Sequence, residues 1–188
     1  MSVAMPELDE IIDRIEWCPV AMPKFPYPNM DLELDSVRWA WHYTRMDRDG
    51  ALDAGITARY PLLQPWFDLL PLINIKFARF SSQEGDMAPH VDRIDPSIDY
   101  GEPSGYRVVI RGDRSSKFYI VQGEDRVYPQ LPDDTDTYII RYRDTRHGVH
   151  ADPGRITIYM EGDLDQSKHR QLLDHSVRRY RDHIVWRR

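Results

Sequence analysis

The sequence predicts a mainly β domain, a sandwich or barrel with helices flanking it at both ends. Three observations predict it. From Tyr106 to Glu161 the chain is a series of short β-rich runs, punctuated by Gly112-Asp113, Gly123-Glu124, Pro132-Asp133-Asp134 and Asp152-Pro153-Gly154. Within the first run, Tyr106, Val108 and Ile110 alternate with Arg107 and Arg111, the period of a strand. The two ends instead carry helical spacing: Leu8, Ile11, Ile12 and Ile15 at one, and Leu172, Leu173, Val177, Tyr180 and Ile184 at the other.

The elements follow in order. Pro6 to Trp17 is expected to be a short helix, with Pro6 in its first turn. A connector with Pro19, Pro23, Pro26 and Pro28 should wrap the core as ordered chain. Val37 to Thr44 alternates, placing Val37, Trp39, Trp41 and Tyr43 on one strand face. Packing explains these aromatics, with Trp41 the candidate for stacking on a substrate. Asp49-Gly50 marks a turn, and Ala51 to Tyr60 and Pro65 to Leu70 read as short helices. Leu72 to Phe80 reads as a strand, Ser81 to Met87 as a loop, and Asp95 to Gly105, with its prolines and glycines, as a surface loop placed to act as a lid. The strands that follow are Tyr106–Arg111, Lys117–Gln122, Arg126–Tyr128, Thr137–Arg143, Thr145–His150 and Arg155–Glu161. Asp163 or Asp165 then caps a final helix over about 165–186.

A length of 188 residues suits one domain, 1–188, with a sizeable core. No apolar run approaches the ~20 residues of a membrane span, and the N-terminus lacks the pattern of a signal peptide. Cys18 is the only cysteine, so no internal disulfide forms, and a cytoplasmic setting is the expectation. The net charge of −6 is unevenly spread: from Asp163 onward seven Lys/Arg face four Asp, a +3 tail on a −9 body. Such a body is a poor partner for phosphate backbones, which lowers the expectation of nucleic-acid binding. The tail reads as a solvated helix face or as a contact for an acidic partner. Nothing in the pattern speaks to oligomeric state.

The chemistry centres on Pro89-His90-Val91-Asp92. A His-x-Asp pair is weak evidence alone, and the chain holds a second, His150-Ala151-Asp152. There, however, Asp152 opens Asp152-Pro153-Gly154 and is explained as a turn former. Two histidines and one carboxylate on one face of an octahedron leave three open positions, as in non-haem Fe(II) oxygenases, although Mn(II) and other metals accept the same ligands. His147 and His150 are the candidates for the third ligand. On the next strand, Arg155, Thr157 and Tyr159 share a face. An inward arginine there needs an anionic partner, such as a dicarboxylate held by the guanidinium fork.

These motifs resemble the Fe(II)/2-oxoglutarate-dependent oxygenases over about Leu72 to Glu161. The residues that carry the resemblance are Ile75-Lys76-Phe77-Ala78-Arg79-Phe80, the Gly85 turn, Pro89-His90-Val91-Asp92, His147-Gly148-Val149 and Arg155-Ile156-Thr157. They look most like the aspartyl/asparaginyl β-hydroxylase-like branch. The resemblance implies a double-stranded β-helix (jelly roll, cupin-like) over about 72–161. It implies Fe(II) ligands at His90, Asp92 and His147, and 2-oxoglutarate bound by Arg155 with help from Thr157. Asp92 departs from related halogenases, which have a small residue at that place, and so favours hydroxylation.

The implied reaction uses O2 and converts 2-oxoglutarate to succinate and CO2 while a substrate C–H bond is hydroxylated. A small amino acid or related metabolite is the first expectation for the substrate, and a peptidyl Asp/Asn side chain the second. A cupin-like metal enzyme that does not use 2-oxoglutarate, and a non-catalytic binding barrel, are the rival readings. Lesser candidates are Tyr138, for a cosubstrate oxygen or the core, and Arg107, for substrate or for solvent. His150, if not a ligand, orients substrate or lies on the surface.

Overall fold

Strand alternation sorts the core into two layers. Tyr106, Val108, Ile110, Ile139, Ile156, Ile158 and Met160 pack with Leu8, Ile12, Leu173 and Val177 of the terminal helices. Their neighbours on the same strands, Val109, Tyr138, Ile140 and Tyr159, pack instead with Phe118, Ile120 and Val149. One face of a large sheet is therefore covered by helices, and its other face meets a smaller sheet.

The computed structural model describes residues 5–26, 42–43, 58, 61–83, 85–93, 96–112, 117–141 and 143–188. The chain begins with α1 (Met5–Asp13) and β1 (Ile15–Pro19). After β2 (His42–Tyr43) come α2 (Leu63–Phe67), β3 (Leu72–Gln83) and β4 (Met87–His90). The β-rich stretch contains β5 (Ser104–Arg111), β6 (Phe118–Gln122), β7 (Asp125–Val127), β8 (Thr137–Ile140), β9 (His147–Val149) and β10 (Asp152–Leu164). It ends with α3 (Gln166–Tyr180), a 3-10 turn (Arg181–His183) and β11 (Val185–Trp186). The seven-stranded sheet has the order β11-β1-β8-β5-β10-β3-β2, and the four-stranded sheet the order β4-β9-β6-β7. All the strand pairs are antiparallel. The fold is mainly β, two facing sheets with a C-terminal helix, compatible with a β-sandwich. No described helix is long and apolar enough to cross a membrane.

The expected helix through Trp17 stops at Asp13, and the chain turns into β1. Trp17 there packs between the sheets, while Arg141 holds the junction by donating to the carbonyls of Ile12 and Ile15. The expected 81–87 loop is shortened, because β3 runs on to Gln83 along β10. The expected Asp95–Gly105 lid is no loose flap in its described part. Ile98 and Tyr100 are buried, the Asp99 amide donates to Asp163 Oδ1, and the Leu164 amide donates to the Asp99 carbonyl. Of the two candidate caps, Asp165 is the one that accepts from the Lys168 amide. The final helix ends at Tyr180, short of the expected 186, and the last residues form β11 against β1. Residues 37–41 and 44, the 49–50 turn and most of the 51–60 helix lie outside the described residues; His42 and Tyr43 do pair with β3.

The basic tail is largely paired within the chain. Arg170, Arg178, Arg179, Arg187 and Arg188 meet Asp9, Asp174, Asp134, Asp144 and Asp125. Exposed pairs of this kind are screened by solvent, so they tether the tail more than they stabilise it.

Candidate metal centre

Two strands of the small sheet carry the candidate ligands. β4 and β9 run side by side with His90 directly opposite His147, and Asp92 follows β4 by two residues. Gly148 permits the close approach. A Cβ there would lie 2.4 Å from the Tyr119 hydroxyl oxygen and 2.8 Å from the Met87 carbonyl oxygen. The glycine after His147 is thus a spacing requirement, since any side chain would push β9 from its neighbours.

The three groups converge. Asp92 Oδ1 lies 3.0 Å from His90 Nε2 and 3.5 Å from His147 Nε2. One donor atom from each residue falls within 4.8 Å of the others, the one such group of three or more among the described residues. Cis ligands ~2.1 Å from an octahedral metal stand about 3 Å apart, so the spacing fits an ion. The histidine side chains are also oriented. His90 Nδ1 lies 2.9 Å from the Ala88 carbonyl oxygen, and His147 Nδ1 lies 3.1 Å from that of Thr145. A carbonyl oxygen only accepts, so each Nδ1 is placed to donate, which leaves Nε2 of a neutral imidazole as the atom that would face a metal. With both imidazoles neutral, the two Nε2 lone pairs and the carboxylate oxygen face one another across the space a cation would fill.

Burial differs around the site. His147 is 1% exposed and His90 36%, so the site opens on the His90 side. The His147 ring packs against Phe118, whose ring meets Tyr138. Burial, and after it the charge of Arg107, lowers the His147 pKa to about 4, against the pull of Asp92. At neutral pH the imidazole therefore needs to lose no proton to bind a metal.

The remaining sequence candidates fall in distinct places. Arg155 is 5% exposed, and its Nε has no hydrogen-bond partner among the described residues. It lies where Asp152 and Ile156, four residues apart, pair with the adjacent Gln83 and Ser82 of β3. A bulge of this kind re-aims a side chain. Gly112, at φ +89°, packs so closely that a Cβ there would lie 2.6 Å from the Arg155 Cα. Thr157 pairs across β10 with Val109 and Ser81. Tyr138 is buried, its ring tilted against Trp17 and Phe118.

Arg107, a candidate for substrate, instead donates to Asp92 Oδ2 at 2.9 Å. His150 lies apart from the convergent group. Its Nε2 is 3.1 Å from the Tyr128 hydroxyl, its ring packs on Tyr119, and its Nδ1 is 3.8 Å from Asp86. Trp41 lies outside the described residues. Sequence reasoning missed the Arg107–Asp92 pair and the two carbonyls that orient the histidines. The strand alternation that sets Arg107 opposite Tyr106 was the available signal for the first; backbone carbonyls leave none. No protein-family model matches this chain, and a search of curated proteins returned no match.

Proposed function

We propose that the protein is an Fe(II)/2-oxoglutarate-dependent oxygenase, a hydroxylase of a small amino acid or related metabolite, with its two sheets forming a double-stranded β-helix. The observation that carries the reading is the convergence of His90 Nε2, Asp92 Oδ1 and His147 Nε2, with each Nδ1 bonded to a backbone carbonyl. Two imidazoles and one carboxylate suit Fe(II) and leave three positions open. The buried Nε of Arg155, without a hydrogen-bond partner among the described residues, supports the dicarboxylate, because a buried guanidinium donor without an acceptor is costly.

When bound, iron, 2-oxoglutarate and O2 would supply the oxidising chemistry that yields succinate, CO2 and a hydroxylated substrate. The chain does the rest. His90, Asp92 and His147 hold the metal. Arg155 binds and orients the far carboxylate of 2-oxoglutarate, with Thr157 beside it on the strand. Phe118 and Tyr138 exclude water behind His147. Substrate approaches on the side where His90 is exposed. That opening, with Val91 exposed beside it, also favours a second reading, in which the substrate is a protein side chain such as peptidyl Asp/Asn.

A screen for succinate release against amino acids, peptides and nucleic acids, with mass spectrometry for a gain of one oxygen atom, tests the proposal. Release that depends on Fe(II), 2-oxoglutarate and a free amino acid is the expected result. Release only with peptides selects the second reading. Metal binding without any use of 2-oxoglutarate overturns both in favour of a cupin-like metal enzyme.

A further inference from the structure

The two oxygens of Asp92 have different surroundings. Oδ1 faces both imidazole Nε2 atoms, at 3.0 and 3.5 Å. Oδ2 accepts a hydrogen bond from Arg107 Nη2 at 2.9 Å. Arg107 belongs to the large sheet, whereas Asp92 follows a strand of the small one. The guanidinium is itself held in place: it lies 4.9 Å over the ring of Tyr159, the residue directly opposite it in the β5–β10 ladder. Both partners of the ion pair are largely buried, at 15% and 19% exposed. A charge-assisted hydrogen bond in such surroundings is of the strong class and has little water to compete with it.

A carboxylate can give a metal one oxygen or two. With both, Asp92 would take a position that cosubstrate and O2 need. Arg107 occupies Oδ2 while Oδ1 faces the two imidazoles, so Oδ1 is the oxygen presented. We infer that Arg107 is a positioning residue for the metal: it holds Oδ2 out of the coordination sphere, so that Asp92 binds through one oxygen and three positions stay open. The inference rests on the metal reading of His90, Asp92 and His147.

The test loads the full chain with Mn(II) and measures water-proton relaxation, which reports exchangeable waters on the ion. Co(II) absorption serves as a second signature of coordination. Arg107→Met is expected to lose about one third of the bound-water relaxation, one position in three, and to alter the Co(II) spectrum. Arg107→Lys, whose ammonium can still hold Oδ2, should restore much of the wild-type signal. A folded Arg107→Met protein with unchanged relaxation and spectrum overturns the inference and leaves the metal reading intact. Wild-type protein that binds neither ion overturns both. If Arg107→Met does not fold, infrared spectra of the metal-loaded wild type, labelled with carbon-13 in its Asp carboxylates, decide the matter. A wide splitting of the Asp92 carboxylate stretches, the mark of one-oxygen binding, supports the role, and a narrow splitting overturns it.

Discussion

The Nδ1 of His147 donates to the carbonyl oxygen of Thr145, 3.1 Å away, and this single bond decides what the other side of the ring can do. It commits the proton and leaves Nε2 as a lone-pair donor facing Asp92. His147→Ala should therefore abolish stoichiometric Co(II) or Fe(II) uptake in a metal titration, exceeding the roughly 10–100-fold loss usual for changes behind a ligand. His150→Ala, with its ring between Tyr119 and Tyr128, should leave the titration unchanged. The reverse pattern would exchange the two histidines.

Gly148 fixes the distance between the ligand strands. A methyl group there meets the Tyr119 hydroxyl and the Met87 carbonyl well inside contact distance. Gly148→Ala is expected to cost about 1–3 kcal/mol in thermal or denaturant unfolding, the range for overpacking, and to weaken metal binding with it. Retention of both properties would mean that β4 and β9 yield without moving their histidines.

His169 sets a pH dependence away from the candidate metal centre. It is 1% exposed on α3, and its Nδ1 lies 2.8 Å from the Tyr106 hydroxyl. Burial lowers its pKa from 6.5 to about 4. Protonation is then favoured in the unfolded chain, so this contribution is fully present above pH 6.5 and is lost as the pH falls through the 4–6.5 window. The full loss is about 3 kcal/mol. His147 shifts in the same direction, so the difference between wild type and His169→Gln isolates the helix histidine. The variant's stability should fall less steeply than the wild type's between pH 6.5 and 4, by denaturant titration. Parallel curves would contradict the burial account.

Arg141 joins three segments. It donates to the carbonyl oxygens of Ile12 and Ile15 at 2.6 and 3.1 Å and lies 3.6 Å from Glu102, whose carboxyl pKa is raised by burial despite the arginines beside it. Arg141→Met leaves two carbonyls without this donor and deprives a half-buried carboxylate of a partner. Arg143, whose Nε lies 2.9 Å from Glu102, stays in place, so a loss of about 1–3 kcal/mol in equilibrium unfolding is expected, the range for leaving buried acceptors unsatisfied. No measurable loss would show that water satisfies the two carbonyls.

What could be read in the sequence, and what could not, follows from the range of the forces involved. The alternation of Tyr106, Val108 and Ile110 marked a strand, one face of which the helices cover, and His90 and Asp92 were visible as residue types in a spacing, with His147 and His150 both open as the third ligand. β1 was not, because Ile15 continues the helical spacing of Leu8, Ile11 and Ile12; the break comes from pairing with β8 and β11, far along the chain. β11 is two residues long, too short to leave a pattern. Asp152-Pro153-Gly154 reads as a turn and is a bulge within β10, since β3 supplies a partner on both sides of it. Alternation puts Arg107 on the face away from Tyr106, but its pairing with Asp92 depends also on how the two sheets face each other, which lies beyond the range of a local pattern.

The proposed site would hold Fe(II) at His90, Asp92 and His147 and 2-oxoglutarate at Arg155. The most direct measurement is visible absorption under anaerobic conditions, with Fe(II) and 2-oxoglutarate added singly and together. The expected result is a weak charge-transfer band that needs both additions, vanishes in His147→Ala, and in Arg155→Ala requires roughly 10–100-fold more 2-oxoglutarate, the cost of one or two charge-assisted hydrogen bonds. Wild-type protein that binds Fe(II) but gives no band with 2-oxoglutarate would contradict it.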